Sequence, residues 1–338
     1  MRSLFFRRLC VGVLLTAGTC LAAPALPAGA APVTCEEVRV PVTVAGTAQS
    51  VFGKLCTPLG ATAVQVLIPG GTYNGSYWDV EYAPQTRSYR RSMNDAGYAT
   101  LAVDRLGTGR SSKPLSALVT ASAQASAVHQ VVRTLRPRFT TVFIGGHSIG
   151  AAMAMIEAGT YQDVDGVIVT GMTHRMNLVT VVPVLANMIP AALDLKFLGT
   201  TLDLGYLTTA PGTRYRAFHS PGPEVSDAMA HDEATKDVFA ATEAVDTLLL
   251  TNVLIPFTQR ISVPVLVVVG DGDTHFCGRP LGSDCSSAAA LRASEAPFFA
   301  EAARLQAYVL DGYGHSINYA PNAPTYHRVV ADWARTVG

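Results

Sequence analysis

The chain has 338 residues, with 25 basic against 25 acidic side chains, and is 49% hydrophobic and 15% charged. That length supports one large domain with a substantial core. The balanced charge, with no basic run, argues against a nucleic-acid binder, and no segment beyond the N-terminus resembles a membrane span.

The first thirty residues read as a leader. Arg2, Arg7 and Arg8 form a basic start, Leu9 to Leu21 is apolar, and Ala28-Gly29-Ala30 offers small residues for cleavage. This is the arrangement of a secretory signal peptide, and the apolar run is short for a spanning helix. Residues 1–30 are therefore expected to be removed near Ala30, leaving a secreted chain 31–338 that is slightly acidic, because three arginines leave with the leader. Cys10 and Cys20 leave too, so Cys35, Cys56, Cys277 and Cys285 remain. An even number in an exported chain, without Cys-x-x-Cys, favours disulfides over zinc. Four cysteines permit three pairings. The turn-rich stretch between Cys277 and Cys285 favours the local one, with Cys35 joined to Cys56 across the opening strands.

Short runs of β-formers then alternate with helical patterns, as in a mainly parallel sheet flanked by helices. Val38 to Val44 and Ser50 to Cys56 are expected to pair around Ala45-Gly46. Val64 to Ile68 is apolar apart from Gln65, as for a strand buried on both faces. A helix over Arg87 to Ala96, a strand over Ala99 to Val103 and a helix over Ala121 to Leu135, stopped by Pro137, follow in order. Thr141 to Ile144, Ile149 to Ala158 and Gly166 to Thr170 continue the rhythm as strand, helix and strand. From Met172 to about Pro256 no strand is evident, and this stretch is expected to be a helical cap inserted over the sheet. The pattern resumes with strands at Val263 to Val269 and Gln306 to Leu310, and ends on a helix from Thr325 to Thr336.

Three loops carry chemistry. Gly146-His147-Ser148-Ile149-Gly150 follows a strand and opens a helix. A serine nucleophile must stand clear of the sheet, and glycines two before and two after remove side chains that would collide in so sharp a turn. The hydroxyl then needs a base, and the base needs a carboxylate to hold its tautomer. His315, in Gly312-Tyr313-Gly314-His315, lies between a strand and the last helix, where a flexible loop can bring an imidazole over the sheet. His275 is its competitor. His147 should turn away from the site, and His129, His174, His219, His231 and His327 are expected to be surface or structural. The acid is expected in Gly270-Asp271-Gly272-Asp273, at the carboxyl end of a strand where catalytic groups collect. Asp273 is favoured, because Asp271 would more naturally bind backbone amides within the turn. Asp104 is expected to tie down its own loop. No His/Asp/Glu cluster has metal-ligand spacing, and the glycine loops lack a phosphate-binding lysine. No metal and no cofactor are expected.

The elbow, acid loop and histidine loop, in the order Ser148, Asp273, His315, together resemble the α/β-hydrolase superfamily, in its branch of single-domain esterases, lipases and cofactor-free perhydrolases. Asp104-x-x-Gly107-x-Gly109-x-Ser111 resembles that family's turn after the fourth strand, and Pro69-Gly70-Gly71-Thr72 occupies its oxyanion-loop position. The likeness runs from about Val64 to the C-terminus. It departs from many relatives in having Pro69-Gly70 where they have His-Gly. The resemblance implies an α/β-hydrolase fold over 31–338 with the cap at about 172–256. It also implies oxyanion donors at the amides of Ile149 and of Thr72 or Gly71.

The activity expected is serine-dependent cleavage of a carboxylic ester. Leu178, Val181, Val182, Val184, Leu185, Met188 and Ile189 in the cap favour a hydrophobic acyl or alcohol group, although the same residues could form a buried helix. A secreted aminopeptidase, with Glu224, Asp227, Asp232 or Glu233 receiving the substrate amine, uses the same triad, and so does a perhydrolase. A catalytically silent binding module is disfavoured by the intact Ser, Asp and His. The partner expected is a small or lipid-like ester, with no nucleic acid and no stable membrane anchor.

Overall fold

A computed structural model describes residues 31–252 and 257–337. The leader and the end of the expected cap near Pro256 lie outside the described residues. The strands are β1 (Val33–Val44), β2 (Thr47–Pro58), β3 (Ala63–Ile68), β4 (Ala99–Val103), β5 (Thr141–His147), β6 (Gly166–Thr170), β7 (Met188–Pro190), β8 (Tyr206–Thr209), β9 (Phe239–Ala240), β10 (Val265–Gly270) and β11 (Gln306–Leu310). The α-helices are α1 (Pro84–Arg87), α2 (Tyr89–Asp95), α3 (Ala121–Leu135), α4 (Ile149–Tyr161), α5 (Leu178–Leu185), α6 (Ser226–Thr235), α7 (Ala241–Asn252), α8 (Ala288–Glu295) and α9 (Ala323–Arg335).

Eight strands form one sheet in the order β1-β2-β4-β3-β5-β6-β10-β11. The β1–β2 and β2–β4 pairs are antiparallel, and every pair from β4 to β11 is parallel. Parallel strands covered on both faces need side chains that tolerate burial either way, which is why Val167–Val169 of β6 and Val265–Val269 of β10 are continuous apolar runs. Alternate residues serve opposite faces. Val66, Val142 and Val167 pack with Val131 and Val132 of α3 and Ile156 of α4. Their neighbours Leu67, Phe143 and Ile168 pack with Met93 of α2 and Val330 and Trp333 of α9. Two disulfides, Cys35–Cys56 across β1 and β2 and Cys277–Cys285 in the loop after β10, match the expected pairing.

Two expectations need correction. The helix read over Arg87 to Ala96 is two helices, because Ser88 takes an extended backbone (ψ 103°) and caps α2 by accepting from the Arg91 amide. The segment between β6 and β10 is not purely helical. It carries α5, α6 and α7, but also a separate antiparallel sheet of β7, β8 and β9. Strands of two to four residues are too short to show a period, so pattern reading passed over them. Among the described residues, no helix is long and apolar enough to cross a membrane.

Candidate active site

The site is assembled at the carboxyl ends of β5, β6, β10 and β11. After β5 the chain turns so sharply that Ser148 holds φ 54° and ψ −127°, a conformation a non-glycine residue rarely adopts. The flanking glycines are required by space. A Cβ on Gly146 would sit 2.1 Å from the Gly150 carbonyl oxygen, and one on Gly150 would sit 2.5 Å from that of Pro69. The Ser148 amide donates to the Thr170 carbonyl at 2.9 Å, anchoring the turn to β6. Ser148 opens onto a cavity of about 90 Å³ whose wall includes Ile149, Gly71, Thr72, Met172, Met176, Val181, Val184, Phe218 and Phe239. The three expected oxyanion residues and the expected nucleophile therefore share one apolar chamber.

Asp273 and His315 meet beside it. His315 Nδ1 lies 2.8 Å from Asp273 Oδ2, and both side chains are buried. Burial alone would raise the Asp273 carboxyl, but the imidazoles of His315 and His275 outweigh it and hold the group well below the ordinary carboxylate range. Phe218, Phe276 and His275 line the cavity and also pack around the His315 ring, so that ring sits directly behind the chamber lining. Asp271 plays a different part from Asp273. Its Oδ1 accepts from the amides of Gly312 at 2.8 Å and Tyr313 at 3.2 Å, so it binds backbone, but that of the histidine loop and not of its own turn.

The competitor His275 is close but differently employed. Its backbone amide donates to Asp273 Oδ1 at 2.9 Å, while its ring Nδ1 stands 3.5 Å from that oxygen with no hydrogen bond. The ring stacks on His315 with centroids 4.1 Å apart. Burial, then the neighbouring His315, lower its pKa to about 4. His147 turns away from the chamber as expected. It is fully buried, stacks on Tyr77 at 4.3 Å, and is held far below its usual pKa by burial.

Sequence reading missed the groups that hold residues 70–72, the expected oxyanion loop. Thr72 is buried with φ 61°. Its hydroxyl accepts from Arg214 Nη1 at 3.0 Å, and its carbonyl accepts from the Asp237 amide at 2.8 Å. Arg214 grips Asp232 with two nitrogens at 2.6 and 2.9 Å. Asp232 also meets His219 Nε2 at 2.8 Å, and His219 Nδ1 meets the Tyr313 hydroxyl at 3.0 Å. One buried network thus joins the oxyanion loop to the histidine loop through residues of the β6–β10 segment. A second buried pair, Arg105 with Glu243, donates from Arg105 Nη2 to the Gly70 carbonyl at 3.1 Å. These partners lie from 13 to 142 residues apart along the chain, and no local pattern in the sequence announces them. Asp104 behaves as expected, accepting from the Arg110 amide of its own loop at 2.8 Å, and from that of Gly75 at 2.9 Å.

Comparison with known proteins agrees with this architecture. An esterase from Thermogutta terrifontis superposes with a TM-score of 0.58 at 14% identity, covering 89% of this chain and 99% of its own. A monoacylglycerol lipase from Paleococcus ferrophilus gives 0.56 at 17%, covering 90% and 100%. An esterase domain from Rhodothermus marinus gives 0.53 at 17%, again covering 90% and 100%. At such identities the likeness is one of fold. No curated protein matches the chain by sequence. The model of the alpha/beta hydrolase family matches residues 65–328, from β3 through the elbow, the acid loop and the histidine loop into α9, and the chain therefore belongs to that family.

Proposed function

We propose that this protein is an exported serine hydrolase that cleaves carboxylic esters with a hydrophobic acyl or alcohol group. The observation that carries the reading is the Asp273–His315 contact of 2.8 Å, packed against Phe218, His275 and Phe276, which line the apolar chamber that Ser148 also lines. In this mechanism Ser148 attacks the ester carbonyl while His315 accepts its proton, and Asp273 holds the imidazole tautomer and stabilises the imidazolium. The amides of Ile149 and of Thr72 or Gly71 receive the oxyanion, aided by the N-terminus of α4. His315 then protonates the departing alcohol, and water repeats the sequence on the acyl-enzyme. In this reading the segment 172–256 acts as the cap, and residues 1–30 act as the export signal.

The chamber favours ester over amine substrates. The described residues around it are apolar apart from Thr72, Ser148, Thr247 and His275. Of the carboxylates that could have received an amine, Asp232 is committed to Arg214 and Glu233 to Lys236, while Glu224 and Asp227 are exposed. A panel of p-nitrophenyl esters and aminoacyl p-nitroanilides on the mature protein tests the reading. Ester turnover with little anilide turnover is expected. Anilide turnover alone would replace it with the peptidase reading.

A further inference from the structure

Away from the chamber, α3 and α4 bury a carboxylate that nothing in the fold accounts for. Glu157 lies near the end of α4 among Met155, Ile156 and Ala158, and is 0% exposed. Neither of its oxygens has a hydrogen-bond partner among the described residues. An ionised carboxylate in such surroundings costs several kcal/mol unless a counter-charge is supplied. The group therefore needs a proton of its own or a positive charge beside it.

Its neighbours are those of a cation site. His129 of α3 places Nδ1 3.6 Å from Glu157 Oε1 and 2.9 Å from Asp163 Oδ2. One ligand atom from each of the three residues falls within 4.8 Å of the others. Ligand atoms held at about 2.0–2.2 Å around one ion stand some 3–4 Å apart, so the spacing suits a common centre. The ring of Tyr161 stacks on His129 at 3.8 Å and 7°, fixing the imidazole plane. The nearby Arg136 is already engaged with Asp165 and the Asp163 carbonyl, and the carbonyl end of α4 adds negative potential. His129 and Asp163 line, together with Arg133, Arg136 and Pro137, a groove of about 480 Å³ that leaves room for water.

We propose that His129, Glu157 and Asp163 form a structural site for a divalent transition-metal ion, with one imidazole nitrogen, two carboxylate oxygens and water as ligands. Residue spacing along the sequence did not suggest it, because the three positions come together only when α3 packs on α4. Imidazole with carboxylates suits ions such as Zn²⁺ or Mn²⁺ better than an all-oxygen cage for Ca²⁺. Glu157 lies nine residues beyond Ser148 on the same helix, roughly 13 Å along its axis. The ion would pin α3 to the far end of the helix that begins at the elbow, and takes no part in chemistry.

The test uses the tag-free full-length mature protein, stripped with chelator and then titrated with ZnCl₂ and separately with MnCl₂. Uptake is read by calorimetry and elemental analysis, and thermal unfolding is followed in parallel. Asp273, His275 and His315 are a second place where an ion could settle, so His129→Asn and Asp163→Asn, both at partly exposed positions, are measured beside wild type. Glu157→Gln is added if it folds. One equivalent bound by wild type, raising the melting temperature by several degrees and lost in the two variants, supports the site. No uptake of either ion, or an equivalent that the variants retain, overturns it. Glu157 would then share a proton with Asp163.

Discussion

Ser148 and Thr72 face one chamber in comparably strained backbone, yet they are held by opposite means. At the elbow the constraint is steric and local. Gly146 and Gly150 approach main-chain atoms so closely that the turn has no alternative, and the Thr170 carbonyl fixes the Ser148 amide. At the oxyanion loop the constraint is electrostatic and remote. Arg214 holds the Thr72 hydroxyl and Arg105 the Gly70 carbonyl, each paired with a buried carboxylate of the β6–β10 segment. The difference teaches where each half can fail. Backbone packing positions a group without needing a partner, whereas side-chain tethers make the oxyanion loop depend on a segment that is distant in sequence.

The largest effects should come from the sterically held half. Ser148→Ala should lower ester turnover by about 10⁴- to 10⁶-fold, as loss of a triad nucleophile does elsewhere. It should abolish labelling by a fluorophosphonate probe while leaving the melting temperature nearly unchanged. Persistent labelling at another serine would remove Ser148 from its role. Next in size is Asp273→Asn, expected to cost about 10⁴-fold in kcat by leaving His315 in the wrong tautomer. Asp271→Asn should cost far less, since Asp271 acts only through the Gly312 and Tyr313 amides. The reverse order would show that the other carboxylate is the partner of the base.

The tethered half should respond differently, and Arg214 tests it. Arg214→Met strands Asp232 in the interior, which costs about 3–5 kcal/mol when one partner of a buried pair is removed. Because Thr72 is released, kcat should also fall by about 10- to 100-fold, somewhat less than outright loss of an oxyanion donor. Arg214→Lys keeps the charge but not the two-nitrogen grip on Asp232. It should recover most of the stability and only part of kcat, with KM close to wild type. A variant that loses stability with kcat intact would make the network a brace without influence on the oxyanion loop.

The same division explains what could be read from the sequence. The elbow was legible because its requirement is written within five consecutive residues, and strands β6 and β10 because burial on both faces leaves a continuous apolar run. Asp273 and His315 were legible as loop residues after strands, although their contact spans 42 positions. The small sheet of β7, β8 and β9 was not, since two to four residues carry no period. Nor was the Arg214–Asp232–His219 network. An arginine between turn residues and an aspartate in a polar helix look like solvated charges until the fold removes the water.

The smallest effect concerns the scaffold alone. His327 sits on α9, on the face of the sheet opposite α3 and α4, with Nδ1 2.9 Å from the Ser92 hydroxyl and Nε2 3.2 Å from Asn318 Oδ1. A neutral ring that accepts from Ser92 and donates to Asn318 satisfies both contacts. The rings of Tyr89 and Tyr326 enclose it, and burial lowers its pKa to about 3. The unfolded chain protonates the same histidine near 6.5. Between those values the unfolded state holds the extra proton, so stability rises with pH there. The contribution is complete above about pH 6.5, declines as pH falls, and is exhausted near pH 3. By pH 5 the loss should amount to about 2 kcal/mol for this one residue. Denaturant unfolding at pH 8, 6.5 and 5 should show wild type losing more stability than His327→Gln by about that amount, while ester turnover at pH 8 stays equal. The comparison rests on the slope, since the substitution has its own cost at every pH. Parallel slopes would mean that His327 becomes protonated within the fold, and that the scaffold yields to acid more readily than its burial implies.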